Sequence, residues 1–350
     1  MRCRGAVALA LLLAAVPLTG ARRQGKPFGW VEQSTYPSVR LRGVSAVDSR
    51  VVWASGTKGI FFYTTDGGMH WPTGSVPGAA DLDFRDVHGV NANTAYLLSS
   101  GEGEKSKIFK TTDGGKSWNL QFTNHELKAF FDGFAFWDAN HGIAFSDPVD
   151  GRFLIIRTND GGATWTPTPI GSSPTAIPGE AAFAASGSSI TVKGSKDVWF
   201  ATGGAAARVF HSSDRGLTWS VADTPIVSGS NSAGIFSIVF TDLKYGFVVG
   251  GDYQKERESN ANFAWTRDGG QTWSAGPQLP GYRSAVAVIS ALPVVLIAVG
   301  PSGVDRWSPR YRSWISETGI GFDAVSLVPD RNLGWAVGSN GRIARRRHKG

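Results

Sequence analysis

The sequence predicts an all-β protein, a seven-bladed β-propeller with four antiparallel strands per blade, and three observations carry that prediction. An octapeptide built around Asp-Gly-Gly and ending in tryptophan recurs along the chain. A short apolar strand ending in small residues recurs seven times. The composition, with 45 glycines, 13 tryptophans and only 18% charged residues, describes a turn-rich, aromatic-rich chain with few surface helices.

The octapeptide runs from Thr64 to Trp71 and recurs at Thr111 to Trp118, Thr158 to Trp165, Ser212 to Trp219 and Thr266 to Trp273. Its aspartates are Asp66, Asp113, Asp160, Asp214 and Asp268, spaced by 47, 47, 54 and 54 residues, one supersecondary unit per repeat. A decayed sixth copy ends at Ser313 and Trp314, with Pro309 at the aspartate position. The aspartate can accept hydrogen bonds from amides of its own turn, and the following glycine takes the positive φ of a tight hairpin. The tryptophans, Trp71, Trp118, Trp165, Trp219 and Trp273, then anchor the turn by packing inward. A feature made in every repeat reads as architecture, so neither metal binding nor catalysis is assigned to these aspartates.

Upstream of each box lies an apolar strand: Val51 to Gly56, Thr94 to Ser99, Gly142 to Ser146, Asp197 to Thr202, Tyr245 to Gly250, Val295 to Gly300 and Leu333 to Gly338. With one strand before it, one leading into the box and one starting at the box tryptophan, each unit has the four strands of a propeller blade. The seventh unit lacks its outer strand before the chain ends. Phe28 to Gln33 supplies it, with Trp30 where the box tryptophan would stand, so closure joins the two ends of the chain.

The first 21 residues read as a secretory signal peptide: a basic start, an apolar run from Ala6 to Leu18 and small residues up to Ala21. The expected product is exported, periplasmic or secreted. Residues 22–346 form one propeller, and 347–350 a basic tail. The only cysteine, Cys3, leaves with the leader, so no disulfide supports the fold. No later stretch reaches the ~20 apolar residues of a transmembrane helix. The formal charge of +7 comes mainly from the two ends, which argues against nucleic acid as a partner. A monomer is expected.

The chemistry-bearing motifs are sparse. The six histidines are isolated, with no HExxH and no Asp-x-Asp-x-Asp-Gly calcium loop, and no GxSxG or Rossmann fingerprint occurs, so no metal or cofactor is expected. In a propeller the inner strand of each blade begins at the channel mouth. That position places Arg42, Arg85, Asp132, Arg283 and Asp323 on a charged ring, with Glu180 in an extra segment before the fourth blade. Such a ring could recognise a charged peptide by charge-assisted hydrogen bonds, or could pair internally around water. The longer connections 124–128, 171–180 and 251–262 are a second candidate for recognition.

The Gly-rich, Trp-ended box resembles the Asp-box or BNR repeats of sialidases and sortilins. The longer pattern of an apolar Gly-Trp-Ala-Val-Gly strand followed by the box looks most like the photosystem II stability and assembly factor family and its non-photosynthetic bacterial relatives. That resemblance implies a non-catalytic binding scaffold for a protein or peptide, with a membrane-protein client as in the photosynthetic members. The sialidases suggest the alternative, a glycoside hydrolase using channel carboxylates such as Asp132 or Glu180. The chain lacks their Phe/Tyr-Arg-Ile-Pro motif, and its tyrosines show no evident glutamate partner in sequence. The expectation therefore leans away from an enzyme.

Overall fold

The structure, a computed structural model, describes residues 28–328 and 331–348. The expected signal peptide lies outside these residues, as does the end of the expected basic tail. Arg347 and His348 continue the last strand.

Seven antiparallel sheets form seven blades. Blade 1 runs Leu41–Ala46, Val52–Gly56, Ile60–Thr64 and Thr73–Ser75 from the channel outward. Blades 2 to 6 repeat this order. Their inner strands are Phe84–Gly89, Phe131–Phe136, Ile190–Lys193, Ser230–Phe240 and Ala285–Ala291. Blade 7 takes Ala324–Leu327, Gly334–Val337 and Ile343–His348 from the C-terminus and its outer strand, Phe28–Ser34, from the N-terminus. The register sets Trp30 opposite Arg346, so the first and last strands close the ring as the sequence implies. Each inner strand touches its neighbours on both sides, with the inner strand of blade 7 against that of blade 1.

The core is divided into seven apolar clusters, each between consecutive blades. Second strands are mostly buried and carry some of the largest fully buried side chains, including Trp53, Trp199 and Trp335. Each such ring removes roughly 150–250 Å² from water. Their indole N–H groups still need acceptors. Trp53 donates to the Asn91 carbonyl (3.0 Å), Trp199 to that of Gly269 (2.8 Å) and Trp335 to the Gln33 side chain (2.8 Å). The first two bonds reach the next blade's turn, so aromatic burial and blade-to-blade adhesion are one device there, while Trp335 ties down the closing strand within blade 7.

The boxes work much as expected, with one addition. Asp113 Oδ1 accepts from the Ser117 amide (2.9 Å), and the same bond recurs at Asp66, Asp160, Asp214 and Asp268. The addition is the first residue of the box. Thr111 is fully buried, donates its hydroxyl to Asp113 (2.9 Å) and accepts the Gly115 amide (2.9 Å). Gly114 and Gly115 both take positive φ, 76° and 80°. The box tryptophans are half-buried rather than core. Trp118 of blade 2 meets Trp53 and Phe61 of blade 1 edge-on, at 6.2 and 5.0 Å, so it fastens its turn to the preceding blade.

One element departs from simple repetition. Glu180–Ala181 and Gly203–Gly204 add two short strands to the inner edge of blade 5, making a six-stranded sheet. The chain after Ala181 crosses the channel toward blade 4. Ala182 donates its amide to Asp147 (2.7 Å) of blade 3, and Ser186 donates its hydroxyl to the Ser284 carbonyl (2.8 Å) beside blade 6. Gly187, at φ 70°, lies against Asp86 of blade 2 so closely that a Cβ would fall 2.2 Å from the carboxylate. Residues 182–187 thus plug the channel.

Candidate functional site

The plug turns the channel mouth into a cavity of about 410 Å³. Its walls differ in chemistry. Blades 1 and 2 supply Arg40, Arg42 and Arg85; blade 3 supplies Asp132 and Asp147; Phe183 of the plug, with Phe236, Tyr253 and Tyr282, makes an aromatic side.

Bulges aim the charged residues. In blade 1 the register slips between Leu41 and Gly43, which leaves Arg42 unpaired; Arg85 and Asp132 are the extra residues of matching bulges in blades 2 and 3. A bulged residue leaves the ladder and is re-aimed, here into the channel. The matching bulge in blade 5 presents Phe236 instead.

Four of the six ring residues expected from sequence, Arg42, Arg85, Asp132 and Asp323, line this cavity. Arg283 does not. Leu41 donates its amide to Gly338 of the preceding blade, and Arg283 donates in the same way to Gly250 (3.0 Å), so Arg283 is the counterpart of Leu41 and Ser284 that of Arg42. The one-residue offset turns Arg283 into the layer between blades, where Asp305 binds its Nε at 2.7 Å. Glu180 is likewise withdrawn. It is buried under an ion pair with Arg208, a bond from Thr202 (2.6 Å) and the Ile177 amide (3.0 Å), and it anchors the plug.

Sequence reading missed Arg40, Asp147 and Tyr282. Tyr253 and Glu256 also line the cavity, and they come from the long 251–262 connection that the sequence had offered as a second candidate for recognition. Tyr282 sits one residue before the misplaced Arg283. Nothing in the local pattern marks Asp147, which reaches the cavity through an irregular pairing after Phe145.

The charges of the cavity are unequally compensated. Arg40 holds Asp323 through two bonds, 2.9 and 2.7 Å, which raise its pKa. Arg85 bonds Asp83 at 2.9 Å. Arg42 has only a 3.4 Å approach to that same carboxylate, and its Nε is buried without a hydrogen bond. Burial, then the neighbouring Arg85 and Arg40, lowers the Arg42 pKa. Across the cavity Asp132 is 1% exposed and its Oδ2 has no partner. Burial and then the charge of Asp147 push its carboxyl well above the usual range, and burial raises Asp147 to about 6. Burial also raises the Tyr282 phenol.

No protein-family model and no curated protein matches the chain. Solved structures do. The chain is similar to "YCF48 bound to D1 peptide", at 15% identity and a TM-score of 0.59, covering 93% of this chain and 99% of that one. It is also similar to the WD40 β-propeller domain of Doa1, at 13% identity and a TM-score of 0.58, covering 92% and 98%. At such low identity the likeness speaks to fold alone. Among the described residues no helix is long and apolar enough to cross a membrane.

Proposed function

We propose that this protein is an exported binding scaffold whose channel-mouth cavity takes an anionic group of a protein or peptide partner. Arg42 is the observation that carries the reading. A guanidinium withdrawn from water, beside two further arginines and short of a full partner, attracts a carboxylate or other acidic group. One structural neighbour, YCF48, is a propeller bound to a peptide, which supports a peptide as the occupant here. A membrane-protein client is the finer form of this proposal, and export follows from the leader read in residues 1–21.

Crosslinking the exported protein to its partners, with and without Arg42→Gln and Arg85→Gln, tests the reading. Loss of capture in both variants is expected; unchanged capture removes the arginine wall from the function.

One observation favours glycoside hydrolysis as a second reading. Asp132 and Asp147 line one cavity with raised pKa values, as an acid and base would, and Tyr282 and Glu256 stand beside the arginines. Against it, burial raises the Tyr282 phenol, the opposite of what a nucleophile needs. Turnover in a chromogenic-glycoside screen, lost on Asp132→Asn, would establish it.

A further inference from the structure

Arg42 and Asp132 share an unusual situation: each carries a buried side-chain atom with no hydrogen-bond partner, on walls of the same cavity. They do not satisfy each other. Neither Asp132 nor Asp147 has an arginine or lysine nitrogen within 4 Å among the described residues, and Arg85, between the two walls, is engaged by Asp83. A simple anion would answer Arg42 and leave Asp132 unanswered. A simple cation would do the reverse.

We infer that the cavity is a binding site for a small zwitterion carrying an aromatic ring, of the class of a free aromatic α-amino acid. The carboxylate falls to Arg42 and Arg85, the ammonium to Asp132 and Asp147, and the ring to the aromatic side. That side is well built for a ring. Phe183 stacks on Phe236 at 3.9 Å, while Tyr253, 43% exposed, stands edge-on to both at 6.4 and 6.1 Å. Offset and edge-on contacts are the favourable geometries for a further ring. The plug makes the cavity a dead end, and about 410 Å³ lies within the range of small-molecule sites. A zwitterion brings no net charge while compensating both uncompensated walls, and an arriving ammonium offsets the burial that holds both carboxyls high.

This inference goes beyond the peptide reading but shares its arginine wall, so the test uses ligands that lack one group each. Calorimetry on the full-length protein compares phenylalanine with 3-phenylpropionate, phenethylamine and alanine. Phenylalanine should bind, and each analogue should bind roughly tenfold to a hundredfold more weakly. Asp132→Asn should weaken phenylalanine while leaving phenylpropionate unchanged, and Tyr253→Ala should weaken both. Absence of phenylalanine binding at millimolar concentration overturns the inference, with the peptide reading judged separately by crosslinking. Phenylpropionate binding as tightly as phenylalanine overturns it too, and leaves an anion site of the kind already proposed. Circular dichroism on each variant verifies folding, and the ligand series on the wild-type protein is decisive without any substitution.

Discussion

Arg42 of blade 1 and Arg283 of blade 6 both lie near the start of an inner strand, yet the molecule treats them oppositely. Arg283 is 2% exposed and its charge is answered inside the protein by Asp305, the Tyr282 carbonyl and Ser302. Arg42 is displaced by a bulge into the cavity and is left short of a partner. The difference teaches that the compensation of a charge, more than its presence, separates a structural residue from a candidate binding residue. The same contrast divides the acids: Glu180 is enclosed by Arg208 and Thr202, whereas Asp132 keeps an orphaned oxygen.

The sharpest way to break the comparison is to remove an internal partner. Asp305→Ala leaves the Arg283 guanidinium buried without its counter-charge, and urea unfolding should show a loss of about 3–5 kcal/mol. Arg42→Gln should behave in the opposite sense, since an uncompensated charge is removed; stability should hold or rise by about 1 kcal/mol. A loss comparable to that of Asp305→Ala would show that Arg42 is structural after all.

Between these lies Asp147. Its folded pKa, about 6, is above the value of about 3.9 expected when unfolded, so the folded state holds the extra proton between those values. Stability therefore falls as pH rises from 4 through 6, and stays lowered above. Asp147→Asn keeps an acceptor for the Ala182 amide and abolishes that penalty. Its stability gain over wild type should be near zero at pH 4 and about 3 kcal/mol at pH 7.5 in paired urea titrations. A gain independent of pH would exclude ionisation as the cause.

The smallest effect belongs to the box aspartates, which are exposed carboxylates stabilised by hydrogen bonds. The Ser117 hydroxyl, then its amide, lowers Asp113 to about 2. A depressed pKa contributes stability that is present above about pH 4 and lost as pH falls through 2. Asp113→Asn should make the acid-side decline of the unfolding midpoint shallower, and an unchanged decline would assign acid sensitivity elsewhere.

How far the sequence could be read follows from what repeats. The blade count, the strand order, the box turns and the closure by Phe28–Ser34 all rest on local periodicity and turn chemistry, which copies itself in every unit. The charged ring was legible where the repeats align without ambiguity, in blades 1 to 3, and at Asp323. It failed at Arg283 because alternation makes a one-residue error a change of face. It failed at Glu180 because an inserted segment has no counterpart from which to read its position. The box tryptophans pack inward as the repeat implies, but that Trp118 does so against the preceding blade is a contact the repeat itself does not encode.

Sequence alone determined the seven sheets, the positive-φ glycines of the boxes and the residues available at the channel mouth, since these depend on neighbours a few positions apart. Only the tertiary structure decided which of those residues share a cavity, because that depends on bulges, on the plug of residues 182–187 and on a loop from blade 5, elements separated by scores of residues. Whether a buried charge finds a partner is set by that assembly, and so the contrast between Arg42 and Arg283 becomes visible only in three dimensions.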